Sequence, residues 1–160
     1  MLLTGSCVSC SNLGCLENRS SIPLAEFYSS NEGKPISLRD VVIRGIGAPA
    51  DSAVLVTPPG VSQVYLPMRS TKSSTSWVIS YSQKGLDTPE NNDTIEFAYD
   101  SEPFFASAEC GAMYRYRIRS VRNTCHVLDS VGILDSLITN LDVPRIRFYF
   151  RTAAMEEADQ

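Results

Sequence analysis

The chain has 160 residues, a mass of 17.6 kDa, a net charge of −4 and a pI near 5.0. That length suits one domain with a full core and no need of staples. The acidic balance argues against nucleic acid as a partner, and no apolar run approaches the ~18–20 residues of a membrane-spanning helix. The basic residues are skewed: eleven of fourteen are Arg, and seven of those lie between Arg115 and Arg151.

The chain opens Met1-Leu2-Leu3-Thr4-Gly5-Ser6-Cys7-Val8-Ser9-Cys10, with small residues abutting both cysteines. This pattern is expected at the processing site of a lipid-modified exported protein. A secretory signal needs a basic start and about 7–15 apolar residues. Only six residues precede Cys7 and none is basic, so the expectation is a start assigned downstream of the true one. Cys10 is the favoured lipidation site and Cys7 the alternative. A diacylglycerol plus an N-acyl group supplies the multiple chains that stable anchoring requires. No acidic residue stands in Ser11-Asn12-Leu13-Gly14; surface-exported lipoproteins with a similar start usually carry acidic residues there, and that likeness implies the periplasmic side of an outer membrane rather than the cell surface. Cys15, Cys110 and Cys125 are then left. Export permits a disulfide, and two pairings are open. Cys15–Cys110 is preferred because it pins the tether to the domain. Cys110–Cys125, facing across a hairpin, is the rival. With Cys7 and Cys10 assigned to processing, no Cys-x-x-Cys pair with a His partner remains for zinc. No metal and no cofactor are expected.

Beyond residue 22 the pattern is that of strands: period-2 alternation or short β-rich runs bounded by Gly, Pro, Asn, Asp and Ser. Strands are predicted over Leu24–Ser29, Ile36–Ile46, Ser52–Thr57, Gln63–Pro67 and Ser76–Ser82. They continue over Asp93–Tyr99, Phe104–Ser107, Ala112–Arg122, Val127–Asp135 and Arg145–Arg151. Trp77, Ile79 and Tyr81 share one face, as do Ile95, Phe97 and Tyr99, and as do Ile146, Phe148 and Phe150. Asn31-Glu32-Gly33-Lys34-Pro35 reads as a hairpin loop. The best helical segment is Asp135–Leu141, and Ala153–Gln160 reads as a polar tail. The expected organisation is a tether over 1–15, a domain over 16–153 and a tail over 154–160. Turns spaced at about 10–12 residues predict an all-β, antiparallel, immunoglobulin-like sandwich with at most one short helix.

The order of several short motifs resembles a family of uncharacterised Bacteroidetes lipoproteins, a domain of unknown function. The matching pieces are the Cys10-to-Cys15 spacer running into Leu16, Glu26-Phe27-Tyr28 and Ile36-Ser37-Leu38-Arg39-Asp40. Next come Tyr65-Leu66-Pro67-Met68, Asn92-Asp93-Thr94-Ile95, Glu109-Cys110-Gly111 and Ile146-Arg147-Phe148-Tyr149-Phe150. Together they cover residues 7–153. The resemblance implies a membrane-anchored β-sandwich with no known activity and no assigned binding residues. Cys15 and Cys110 fall in matching pieces, which supports their pairing; Cys125 falls outside them and is expected to be an unpaired thiol.

Candidate chemistry is thin. His126, Asp129 and Ser130 invite a hydrolase reading, but strand geometry turns Asp129 away from the other two, and no Gly-x-Ser-x-Gly elbow is present. Cys125 and His126 are adjacent and so face opposite ways. Asp87, Glu90, Asn91, Asn92 and Asp93 form an oxygen-rich loop of the kind calcium takes, without an EF-hand's spacing. The arginines offer most. If their strands pair, Arg115, Arg117, Arg119, Arg145 and Arg147 form one basic stripe suited to phosphate or carboxylate. Cross-strand pairing with Glu96, Glu102 or Glu109 is the plain alternative. The expected function is therefore a non-enzymatic envelope lipoprotein that meets an unidentified envelope protein. The alternative is a glycan-binding or adhesion module, which exposed Trp77 or Tyr149 on a flat sheet face would favour.

Overall fold

Strands that alternate apolar and polar residues must bury one face, and here two sheets bury theirs against each other. The computed structural model describes residues 20–47, 53–56 and 60–158. Its strands are β1 (Leu24–Ser29), β2 (Val41–Gly45), β3 (Ala53–Val56), β4 (Gln63–Tyr65) and β5 (Ser74–Tyr81), then β6 (Asp93–Ser107), β7 (Gly111–Asn123), β8 (Leu128–Ile133), β9 (Leu137–Ile138) and β10 (Pro144–Phe150). A short helix, α1 (Thr152–Ala158), follows β10. One sheet has four strands in the order β4-β1-β10-β8; the other has six in the order β3-β2-β5-β6-β7-β9.

The inward faces carry the predicted apolar sets. Phe27, Ile146, Phe148 and Phe150 come from the four-stranded sheet; Ile43, Ile79, Ile95, Phe97 and Tyr99 come from the six-stranded one, and all are essentially inaccessible. Phe27 stacks on Phe148 at 6.1 Å between ring centroids and meets Phe150 edge-on at 5.7 Å. The all-β sandwich with one short helix is thus what the sequence predicts. One pairing is not antiparallel: β1 and β10 run parallel, so the first and last strands lie side by side.

Four segments differ from expectation. Asp93–Tyr99 and Phe104–Ser107 are one continuous strand, β6, because the long β7 pairs with it through Pro103 opposite Tyr114. Pro103 is exposed. Only the last part of Ile36–Ile46 is a strand; Leu38 makes an isolated bridge to Val61, and Asp40 takes a left-handed φ of 57° that interrupts the ladder. Asp135–Leu141 is not helical. Its Leu137–Ile138 forms β9 on the edge of β7, since burying Ile138 outweighs a weak local helix preference. The tail instead carries the helix: in Thr152–Ala158 Ala, Met and Glu are good helix formers, and Gln83 Nε2 donates to the carbonyl of Met155. Asn31–Pro35 does form a tight loop, in which Gly33 takes φ 68° and its N–H donates to the Ser29 carbonyl at 2.8 Å.

Strand register gives the sandwich two distinct ends. At the leading end lie the start of β1, the end of β4, the end of β8 and the start of β10. The end of β2, the start of β5 and the β6–β7 hairpin share that end. Its loops are tied together: Tyr99 Oη contacts the backbone N–H and C=O of Arg69 at 3.0 Å each, and Tyr116 Oη donates to the Met68 carbonyl. At the opposite, helix end lie α1, the β7–β8 connection and Asp93.

Candidate functional site

The two arginine strands do not meet. Arg115, Arg117 and Arg119 lie on β7, whose neighbours are β6 and β9; Arg145 and Arg147 lie on β10, whose neighbours are β1 and β8. Each set alternates with core residues, Tyr116 and Ile118 on one strand and Ile146 and Phe148 on the other. The two sets therefore occupy the opposite outer faces of the sandwich, and the expected five-residue stripe does not form.

Most of these arginines are already matched. On the six-stranded face Arg115 pairs with Glu102, Arg119 with Asp100 at 3.3 Å and Arg122 with Glu96 at 3.0 Å. This ladder is the plain cross-strand arrangement. Such exposed pairs contribute about 0–1 kcal/mol each. A bulge between Ala98 and Tyr99 keeps Arg119 and Ser120 both outward while returning Val121 to the core side. Arg117 has no ion-pair partner among the described residues.

The four-stranded face is more organised. Glu26 on β1 accepts from Arg147 Nε at 2.6 Å, and the Arg147 guanidinium sits 4.4 Å from the Tyr28 ring centroid. The hydrogen bond to Glu26 holds that guanidinium above its ordinary range. Tyr28 and Tyr149 lie 5.9 Å apart at 58°. Gly132 on β8 makes room for this cluster: a Cβ there would come 3.3 Å from the Tyr149 ring. Tyr149 thus lies half-buried on an outer face. Trp77 does not; it is 4% exposed, in the core.

The oxygen-rich loop is also divided. Asp93 turns inward and is fully buried. Its carboxylate accepts from the Tyr81 hydroxyl at 2.9 Å, the Thr124 hydroxyl at 2.9 Å and the backbone N–H groups of His126, Val127 and Leu128 at 2.7–2.9 Å. Asp87 and Glu90 stay exposed on the far side of the turn. Among the described residues no group of three or more metal-ligating side chains converges. Asp93 is a clamp that fastens the β7–β8 connection to the start of β6. Its parity with Ile95, Phe97 and Tyr99 on one strand was the signal in the sequence that it faces inward.

That clamp carries a pH signature. Burial pushes the Tyr81 hydroxyl far above its ordinary value near 10, and the Asp93 carboxylate adds to the rise. Unfolded tyrosine ionises above pH ~10 while the folded one keeps its proton, so this contribution is intact below ~10 and lost as pH rises beyond it. We expect unfolding free energy to fall above pH 10 by up to about 1.4 kcal/mol per pH unit from this residue. Tyr81→Phe should flatten that slope in denaturant titrations, leaving the smaller parts due to Tyr116, which burial also raises, and Tyr65, which its hydrogen bond to Asp142 raises. An unchanged slope in Tyr81→Phe would contradict the assignment.

His126 is exposed, and Asp129 is taken by Arg151, whose Nη2 lies 2.8 Å away. Ser130 faces solvent on β8. Cys125 is an exposed free thiol beside His126. Cys110 is half-buried in the β6–β7 turn, where its N–H donates to Ser107 Oγ at 3.0 Å, and it is not a free thiol. Cys7, Cys10 and Cys15 lie outside the described residues.

The profile of a family of unknown function (DUF6452) matches residues 40–150. The chain belongs to that family. The DUF6452 span takes in β2 to β10, and with them both arginine strands, the Asp93 clamp and Cys110. It leaves out β1, and so Glu26 and Tyr28, together with α1 and the first three cysteines. No curated protein and no solved structure matches the chain.

Proposed function

We propose that this DUF6452 protein is a non-enzymatic cell-envelope lipoprotein of Bacteroidetes type, anchored through Cys10 in the outer membrane and facing the periplasm. Its sandwich presents surface to an envelope partner. The observation that carries the reading is the use of the polar side chains. Asp93, Asp129, Glu26 and Asp135 each serve a structural partner: the β7–β8 backbone, Arg151, Arg147 and Arg145. The chemistry these groups would bring to a reaction is spent on the fold. The Cys15–Cys110 disulfide belongs to the same proposal. Cys125 is free and Cys110 is not, which supports it.

The half-buried Tyr28–Tyr149 pair, with Arg147 and Glu26 alongside, supports a second reading: a glycan stacking on the four-stranded face. Sugar faces stack on aromatic rings, and the flanking charges suit hydroxyl groups.

The primary reading is tested by fractionation in the native host. Cys10→Ser should move the protein from the detergent-extracted membrane fraction to the soluble one, while Cys7→Ser leaves it in place. Membrane retention of Cys10→Ser would refute the anchor.

A further inference from the structure

Single exposed apolar residues are ordinary on a protein surface; their distribution here is not. The described chain exposes seven large hydrophobic side chains, and every one lies at the leading end. Phe105, 71% exposed, and Tyr114 stand on the β6–β7 hairpin where it projects beyond β5. Register puts them on the same side as Tyr116 and Ile118, so the inner face of the sheet continues outward past the core, uncovered. Ile46 follows β2, Tyr65 ends β4 and Leu134 follows β8. Leu141 and Val143 precede β10.

The described chain also begins at this end, with Ser20 leading into β1. Nine residues lie between Cys10 and Ser20, a reach of at most about 35 Å when extended. A lipid on Cys10 therefore keeps the leading end within that distance of the bilayer. The apolar side chains come from five separate strand ends and loops. That suits contact with an extended, yielding surface. Tyr and Phe are at home at the level of lipid headgroups; exposed Arg69 and Lys72 are offset by exposed Glu109 and Asp142 at the same end, so the apolar side chains rather than net charge carry the contact.

We infer that the leading end, with Phe105 and Tyr114 at its tip, is a membrane-contacting face that seats the domain on the lipid surface. The inference rests on the anchoring proposed above, yet it makes a claim that holds without the lipid. The test uses the full 160-residue chain made without export, so that Cys10 carries no lipid. It is co-floated with vesicles of phosphatidylethanolamine and phosphatidylglycerol. The parent should partition onto them measurably. Phe105→Ser with Tyr114→Ser should lower the partition coefficient about tenfold or more. Leu141→Ser with Val143→Ser, on a different loop, should lower it as well. Buried Trp77 reports in each case that the fold is intact. No binding by the parent, or binding by the two double variants as tight as the parent's, overturns the inference. So does parent self-association that the first double variant abolishes in the absence of vesicle binding, because the face then serves a second copy. A lipidated Cys10 found together with any of these results leaves the anchor standing and removes only the membrane-contacting face.

Discussion

Asp93→Ala should destabilise the domain by about 4 kcal/mol or more. The carboxylate is fully buried and satisfies five donors, three of them backbone N–H groups in the single connection between β7 and β8. Alanine would leave the Val127 and Leu128 N–H groups and the Tyr81 hydroxyl without that partner in a dry interior. A buried donor without a partner costs about 1–3 kcal/mol, so several at once place this substitution in the uncommon upper range of single changes. For a chain of this size the melting temperature should drop by roughly 8–16 °C. Asp93→Asn should fall between: it keeps one oxygen acceptor and sets an NH2 group against the remaining donors. Hydrogen exchange at His126, Val127 and Leu128 should accelerate first, because the clamp holds that segment directly. A loss below 1 kcal/mol in Asp93→Ala, measured by urea unfolding, would show that the network has another support.

Phe148→Ala is expected to cost about 3–5 kcal/mol, the range for emptying a buried phenylalanine site. Phe148 is inaccessible and packs in a triangle of rings with Phe27 and Phe150, their centroids 6.1 and 6.4 Å away. The three rings link the first and last strands of the four-stranded sheet, so the cavity would open where β1 and β10 pair in parallel. Collapse to fill it would require both strands to move. Phe105→Ala is the contrast. That ring is 71% exposed, and its removal should change stability by less than about 0.5 kcal/mol. If the two substitutions cost the same, the core assignment is wrong.

Local alternation revealed nearly all the strands and the inward sets, because a period of two survives in a short window. Ile95, Phe97 and Tyr99, and Ile146, Phe148 and Phe150, face inward as their spacing requires. What spacing cannot supply is pairing between distant strands. The arginine stripe depended on β7 lying beside β10; in the fold β6 and β9 flank one, and β1 and β8 flank the other. The Glu26–Arg147–Tyr28 cluster was missed for the same reason, since it joins residues 121 positions apart in the first and last strands. Asp93 was read with its exposed neighbours because composition grouped it with the turn, although its parity grouped it with the core. The helix went to the wrong place because Leu137 and Ile138 find a strand edge on β7. Thr152–Ala158 has good local propensity and Gln83 to cap its contact with the sheet.

The most direct test of the anchored-sandwich account is the mass of the N-terminal peptide of the native protein. Trypsin cleaves after Arg19. The account predicts a peptide beginning at Cys10, with a thioether-linked diacylglycerol and an acylated amino group, and linked through Cys15 to the peptide that carries Cys110. An unmodified peptide running through Cys7 and Cys10 would contradict it.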